Sequence, residues 1–172
     1  MKETARTRKN LRLPSWDYRQ PSLYIVTACV HQRAHRFGTV TDEAMHPNDA
    51  GYMVATLWEE IPVKFPSISL DAYIVMPNHF HGILGVDLDH GQNPEVTLGA
   101  VMQWFKSVTT NHYIRGVKTS GWPRFDSRLW QRNYYETIIR NKAMLETKRT
   151  YIEANPANWH RDPEFNADRV TR

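Results

Sequence analysis

Apolar positions change their period several times along this chain, and the changes lay out a succession of elements. Residues 23–30 form a β-rich apolar run and predict a first strand. The polar stretch 31–48 holds Gly38 and Pro47 and reads as a loop, with a short piece of strand at 37–40. From Asn48-Asp49 onward, Met53, Val54, Leu57, Trp58 and Ile61 recur at three- and four-residue spacing, which predicts an amphipathic helix over 50–63. Pro62 and Pro66 mark its end. Residues 68–76 and 79–86 read as strands joined by Pro77-Asn78, an antiparallel hairpin. An acidic loop, 87–96, precedes Thr97, which caps a helix over 98–115 with Val101, Phe105, Val108 and His112 on one stripe. A turn region follows at 118–127, then a fourth strand over 129–139 and a last helix over 141–155, stopped by Pro156.

The order is βαββαβ plus one helix. It predicts an α+β fold of the ferredoxin-like plan, with a four-stranded antiparallel sheet and a C-terminal helix. No repeat or long linker divides the chain. It reads as a basic N-terminal arm over 1–20, one domain over 21–160 and a polar tail over 161–172.

Composition narrows the class. At 172 residues, with 41% hydrophobic and 23% charged positions, the chain can bury a real core in one domain. No apolar run approaches the ~20 residues that span a bilayer, so no membrane role is expected. The single cysteine, Cys29, excludes an internal disulfide, lies in an apolar run and fits a reducing cytoplasm. The formal charge of +4 favours a polyanionic partner. Basic and aromatic residues interleave at Trp16-Asp17-Tyr18-Arg19, Trp122-Pro123-Arg124-Phe125 and Trp130-Gln131-Arg132-Asn133-Tyr134-Tyr135. Such mixtures hold single-stranded nucleic acid, cations on phosphates and rings on bases. Arg124, Trp130 and Arg132 are candidate nucleic-acid contacts on that reading; on the other, the aromatics are core and the arginines solvated.

The third strand carries the most informative stretch, Met76-Pro77-Asn78-His79-Phe80-His81-Gly82. Alternation along a strand puts His79 and His81 on one face and Phe80 on the other. Two imidazoles on one face can grip one metal ion, although two histidines on a strand are also ordinary solvent-facing residues. On the last helix, Tyr151 and Asn155 are four residues apart and share a face, with Lys148 on the same side as either a phosphate (DNA) contact or a solvated residue. A lone helix tyrosine is ordinarily a packing residue. Beside a metal site, however, its hydroxyl is a candidate covalent nucleophile toward a phosphodiester. Tyr134 and Tyr135 are the rival tyrosines; alternation sends one to the core and the other to the surface. Glu136 fits an extra ligand, a base or a structural ion pair. His31, His35 and His112 carry no spacing signal.

At this point the sequence resembles a known family. His79-Phe80-His81 is similar to the histidine–hydrophobe–histidine motif of single-tyrosine transposases, in particular the REP-associated branch. The resemblance takes in Leu13-Pro14, Asp17-Tyr18, Phe37-Gly38, Met76 to Gly82, Trp130-Gln131, Tyr134-Tyr135-Glu136, Ile139-Arg140-Asn141, Tyr151-Ile152 and Asn155-Pro156. It implies a metal-dependent transposase that cleaves and rejoins single-stranded DNA beside a hairpin through a 5′-phosphotyrosine. His79 and His81 would be metal ligands and Tyr151 the nucleophile. Asn155 would be the third ligand, where relatives often carry the longer Gln. Mg²⁺ or Mn²⁺ is the implied ion, nucleoid DNA in a bacterial cytoplasm the implied setting, and the implied assembly is a monomer or a homodimer. The alternative is a domesticated, non-catalytic protein that only binds single strands.

Overall fold

The structure is a computed structural model describing residues 22–86 and 96–162. The basic arm, most of the acidic loop and most of the polar tail lie outside the described residues, as do Leu13-Pro14 and Asp17-Tyr18. Four strands make the main sheet: β1 (Ser22–Cys29), β4 (Ile68–Met76), β5 (His79–Val86) and β6 (Tyr135–Ile139). They lie in the order β4-β5-β1-β6, all antiparallel. With α1 (Asp49–Glu59) and α3 (Leu98–Thr119) as the crossovers, this is the ferredoxin-like arrangement. A small hairpin, β2 (Gly38–Thr41) and β3 (Ala44–Pro47), a short helix α2 (Ile61–Lys64) and a last helix α4 (Lys142–Glu153) complete it. Among the described residues, no helix is long and apolar enough to cross a membrane.

Side chains written into the sequence start the three long helices. Asn48 Oδ1 accepts from the Gly51 N–H at 3.0 Å, Thr97 Oγ1 from Ala100 at 3.1 Å, and Asn141 Oδ1 from Met144 at 2.8 Å. Each satisfies a donor that the first turn leaves without an intrahelical partner.

Every residue of β5 is buried, because both faces of the sheet are covered. One face carries the main core, where Tyr24, Val26, Phe80 and Leu84 meet Trp58 of α1 and Phe105 of α3. The other face carries a smaller cluster of Ile25, Ile83 and Ile139 under Ile152 of α4. Ile152 is the one residue of α4 that is fully buried, worth about 1.5–3 kcal/mol of apolar anchoring.

Several boundaries differ from the sequence expectation. The helix over 50–63 breaks at Glu60 into α1 and α2, with Pro62 in the first turn of α2, where its missing N–H costs nothing. The helix expected to stop at 115 runs to Thr119. The segment 38–47 forms a hairpin whose turn residues Asp42 and Glu43 have φ of 50° and 58°. That turn type ordinarily signals itself by Asn-Gly, so Asp-Glu gave no cue. Finally, the strand over 129–139 is interrupted. Trp130 bridges Val30, and pairing resumes only where Tyr135 faces Thr27. Three steps along β1 thus face five along the other segment. The looped-out carbonyls of Gln131 and Arg132 accept from Lys106 Nζ at 2.6 and 2.8 Å. Burial lowers the Lys106 pKa to about 8.

Candidate active site

The β5 pleat sends His79, His81 and Ile83 to the α4 face and Phe80 to the main core. Opposite them on β1 stand Cys29 and Thr27. Each imidazole is held through Nδ1. Asn78, in the tight turn before β5, donates from Nδ2 to the Arg33 carbonyl at 3.3 Å, so its Oδ1 accepts from His79 Nδ1, 2.9 Å away. His81 Nδ1 lies 2.7 Å from Thr27 Oγ1. Both rings therefore turn Nε2 toward one space, the arrangement by which a supporting partner orients a metal-binding histidine. The rings lie 4.6 Å apart, and His79 Nε2 is buried without a hydrogen-bond partner.

Burial is the main cause that lowers both histidine pKa values to about 3. The Arg33 charge and, more weakly, His35 add to it at His79, and His79 adds to it at His81. Asn155 pulls His79 the other way, but no well-formed hydrogen bond joins them. Neutral imidazole is the form that binds a metal.

Oxygen donors come from the chain after α4. The helix ends at Glu153, two residues before the expected end, and Asn155 enters the site from the following turn, its N–H bonded to the Ile152 carbonyl at 3.2 Å. Its side chain is 2% exposed, and Oδ1 has no hydrogen-bond partner. Further on, a 3₁₀ turn over Trp159–Arg161 delivers Asp162. One ligand atom each from His79, His81 and Asp162 lies within 4.8 Å of the others, and Asp162 Oδ2 is 3.8 Å from His79 Nε2. The buried Trp159 ring packs 5.9 Å from that of His79 and fixes the turn. The orphaned donors at His79 and Asn155, with a carboxylate beside them, fit a divalent cation with mixed nitrogen and oxygen ligands. Asp162 escaped the sequence reading because it follows the expected end of the domain. Trp159, a large apolar residue in a polar stretch, was the available signal that the chain still packs there.

Tyr151 is 43% exposed, and its hydroxyl stands 3.3 Å from His81 Nε2 in the same chain. Burial and the Asp162 charge raise its pKa, partly offset by Asn155, so the phenol is neutral at neutral pH. A cavity of about 360 Å³ opens beside it, lined by Thr150, Tyr151, Asn155, Asn158, Arg161 and Asp162. Lys148 is half-buried and close enough that its charge depresses the His81 pKa.

The remaining candidates separate. Trp130 is only 4% exposed, and its indole N–H donates to Thr109 Oγ1 at 2.9 Å. Its ring belongs to the core and is not free to stack on a base. Arg124 and Arg132 are exposed on the connection between α3 and β6. Tyr134 packs against the main core, while Tyr135 is exposed. Glu136 pairs with Val26 in β1, so it faces away from the histidines.

The sequence matches the model of the IS200-like transposases over residues 27–155, three quarters of its length. The chain belongs to that family. An uncharacterized protein of Haemophilus influenzae is 32% identical over 90% of this transposase-family chain and 91% of its own length. Among solved structures, a REP-associated tyrosine transposase bound to a REP hairpin superposes with a TM-score of 0.56 at 17% identity. The match covers 86% of this chain and 74% of that one. At that identity the likeness is one of fold, and it agrees with the ferredoxin-like sheet and its crossovers described above.

Proposed function

We propose that the chain is a metal-dependent transposase that cuts and rejoins single-stranded DNA beside a hairpin through Tyr151. The observation that carries this reading is the 3.3 Å approach of the Tyr151 hydroxyl to His81, within a group of neutral histidines and a carboxylate. His79, His81 and Asp162 would hold the ion, with Asn155 Oδ1 beside them. When bound, Mg²⁺ or Mn²⁺ would polarise the scissile phosphate and neutralise charge developing on its oxygens.

The chain's own groups do the rest. The Tyr151 hydroxyl gives up its proton to solvent as its oxygen attacks phosphorus and forms the O–P bond of a 5′-phosphotyrosine. The P–O3′ bond breaks, and its electron pair leaves with the 3′-oxygen, which takes up a proton. Phenolate is a better leaving group than an alkoxide, so the link stays reactive and a 3′-hydroxyl can reseal the strand. Lys148 contributes positive charge next to the phosphate position. The cavity lined by Asn158 and Arg161 gives the strand room beside the hydroxyl. Because one chain supplies both tyrosine and histidines, a single subunit can assemble the whole site.

A hairpin-bearing single-stranded oligonucleotide, incubated with the protein and Mn²⁺, tests this. The native chain should form a denaturant-resistant protein–DNA adduct. Tyr151→Phe should form none, and Tyr134→Phe and Tyr135→Phe should still form it. Hairpin binding with no adduct under any metal would return the chain to a binding-only role.

A further inference from the structure

Little apolar surface tells α4 where to sit. Only Ile152 is fully buried, with Met144 and Leu145 partly covered, yet the helix must place one hydroxyl beside one imidazole. A polar device on the sheet edge supplies a second constraint. In β4, Leu70 pairs with Leu84 and Tyr73 with Gly82, so β4 takes three steps while β5 takes two. This bulge keeps Leu70 and Tyr73 on the main core and leaves Ala72 and Ile74 against the α4 cluster. The extra residue sets Asp71 at the foot of α4. Asp71 Oδ1 accepts the Ala72 N–H at 2.7 Å, which braces the bulge. The same carboxylate receives the fork of Arg149, Nε to Oδ1 at 2.8 Å and Nη2 to Oδ2 at 2.6 Å. Nη1 of Arg149 donates to Glu146 Oε1 at 2.7 Å. All three guanidinium nitrogens are thus committed to protein carboxylates.

We propose that the Asp71–Arg149 pair is a positioning clamp that sets the rotation and height of α4, and so the distance between the Tyr151 hydroxyl and His81. The proposal rests on Tyr151 being the nucleophile. Arg149 precedes Tyr151 by two residues, so the fork and the hydroxyl ride on the same helical turn. A two-point fork fixes an angle as well as a distance, which a single point charge does not. An arginine on the helix that carries the nucleophile would ordinarily be read as a phosphate contact. Here each of its nitrogens already donates to a carboxylate, and those carboxylates repel an anion.

The test uses the whole chain with a hairpin oligonucleotide and Mn²⁺. Misplacing a reacting group by about 1 Å can cost on the order of 100-fold. Arg149→Gln and Asp71→Asn should therefore slow adduct formation at saturating oligonucleotide by roughly 10- to 100-fold. Oligonucleotide affinity, its salt dependence and Mn²⁺ affinity should stay unchanged. The double substitution should be no slower than the slower single one, because both remove one device. Arg149→Lys keeps the cation and loses the fork, and its rate should fall between. It also serves as the second variant if Arg149→Gln does not fold. Amide hydrogen exchange in α4 should speed up in the variants while α1 stays protected. If Arg149→Gln keeps its saturated rate but loses affinity and about one unit of salt slope, the residue is a phosphate contact and the clamp is wrong. If the native chain forms no adduct, the transposase reading fails on its own. Unchanged α4 exchange in Arg149→Gln would then overturn the clamp, and faster exchange would support it.

Discussion

The residue after the histidine pair shows how closely chemistry and packing are joined. Gly82 sits on the core side of β5, where a Cβ would come within 2.5 Å of Trp58 Cζ2 and 2.7 Å of the Phe80 ring. The glycine leaves room for the α1 tryptophan to pack directly against the strand that carries the histidines. Gly82→Ala forces overpacking in a filled core and should destabilise the fold by about 1–3 kcal/mol, read from urea denaturation. An alanine variant of native stability would show that the Trp58 contact is looser than described. The tyrosines separate on the same physical ground. Tyr134 is spent on the core, whereas Tyr151 keeps its hydroxyl beside His81 with nearly half its surface open. Of these two, only Tyr151 presents its hydroxyl beside the histidines.

At the scale of elements, the interrupted edge of the sheet teaches most. The run from Leu129 to Ile139 has the composition of one strand, yet two surplus residues break it, and Lys106 of α3 occupies the gap. Lys106→Met removes the donor to two backbone carbonyls. It should cost about 1–3 kcal/mol, toward the lower end because the gap is partly open to water. Chemical denaturation measures it, and no loss would mean that water replaces the ammonium without penalty. Sequence pattern had no means to show this, since the compensating residue lies on another element. The starts of α1 and α3, by contrast, were legible because Asn48 and Thr97 cap their own helices, and Asn141 caps α4, which starts one residue inside its expected span. The end of α4 was less so: proline fixed the limit, and the chain turned two residues sooner, carrying Asn155 inward.

At the scale of the molecule, the covered sheet sets the chemistry of the site. Two imidazoles with folded pKa values of about 3 remain neutral where an unfolded chain, near 6.5, takes up protons. The unfolded state then binds more protons as pH drops below 6.5, so the metal-free protein should lose stability from about pH 7 down to about pH 3. The His79→Gln/His81→Gln double variant should lose less over the same interval, measured by urea titration. An equal loss in both proteins would place the acid sensitivity elsewhere. Mn²⁺ at 100 times its dissociation constant should stabilise the native chain by about 2.7 kcal/mol and leave that double variant unchanged. Thermal unfolding with and without chelator measures the difference.

The sequence by itself determined the βαββαβ order, the hairpin that presents His79 and His81, and the side chains that start each long helix, because all of these depend on local period, turn residues and caps. Tertiary structure alone decided the partners that lie far apart along the chain. It brought Asp162 to the histidines by packing Trp159 on His79, took Trp130 into the core, and anchored α4 to Asp71 through Arg149. Those outcomes follow from burial and hydrogen-bond satisfaction between distant segments, and local pattern carries no record of them.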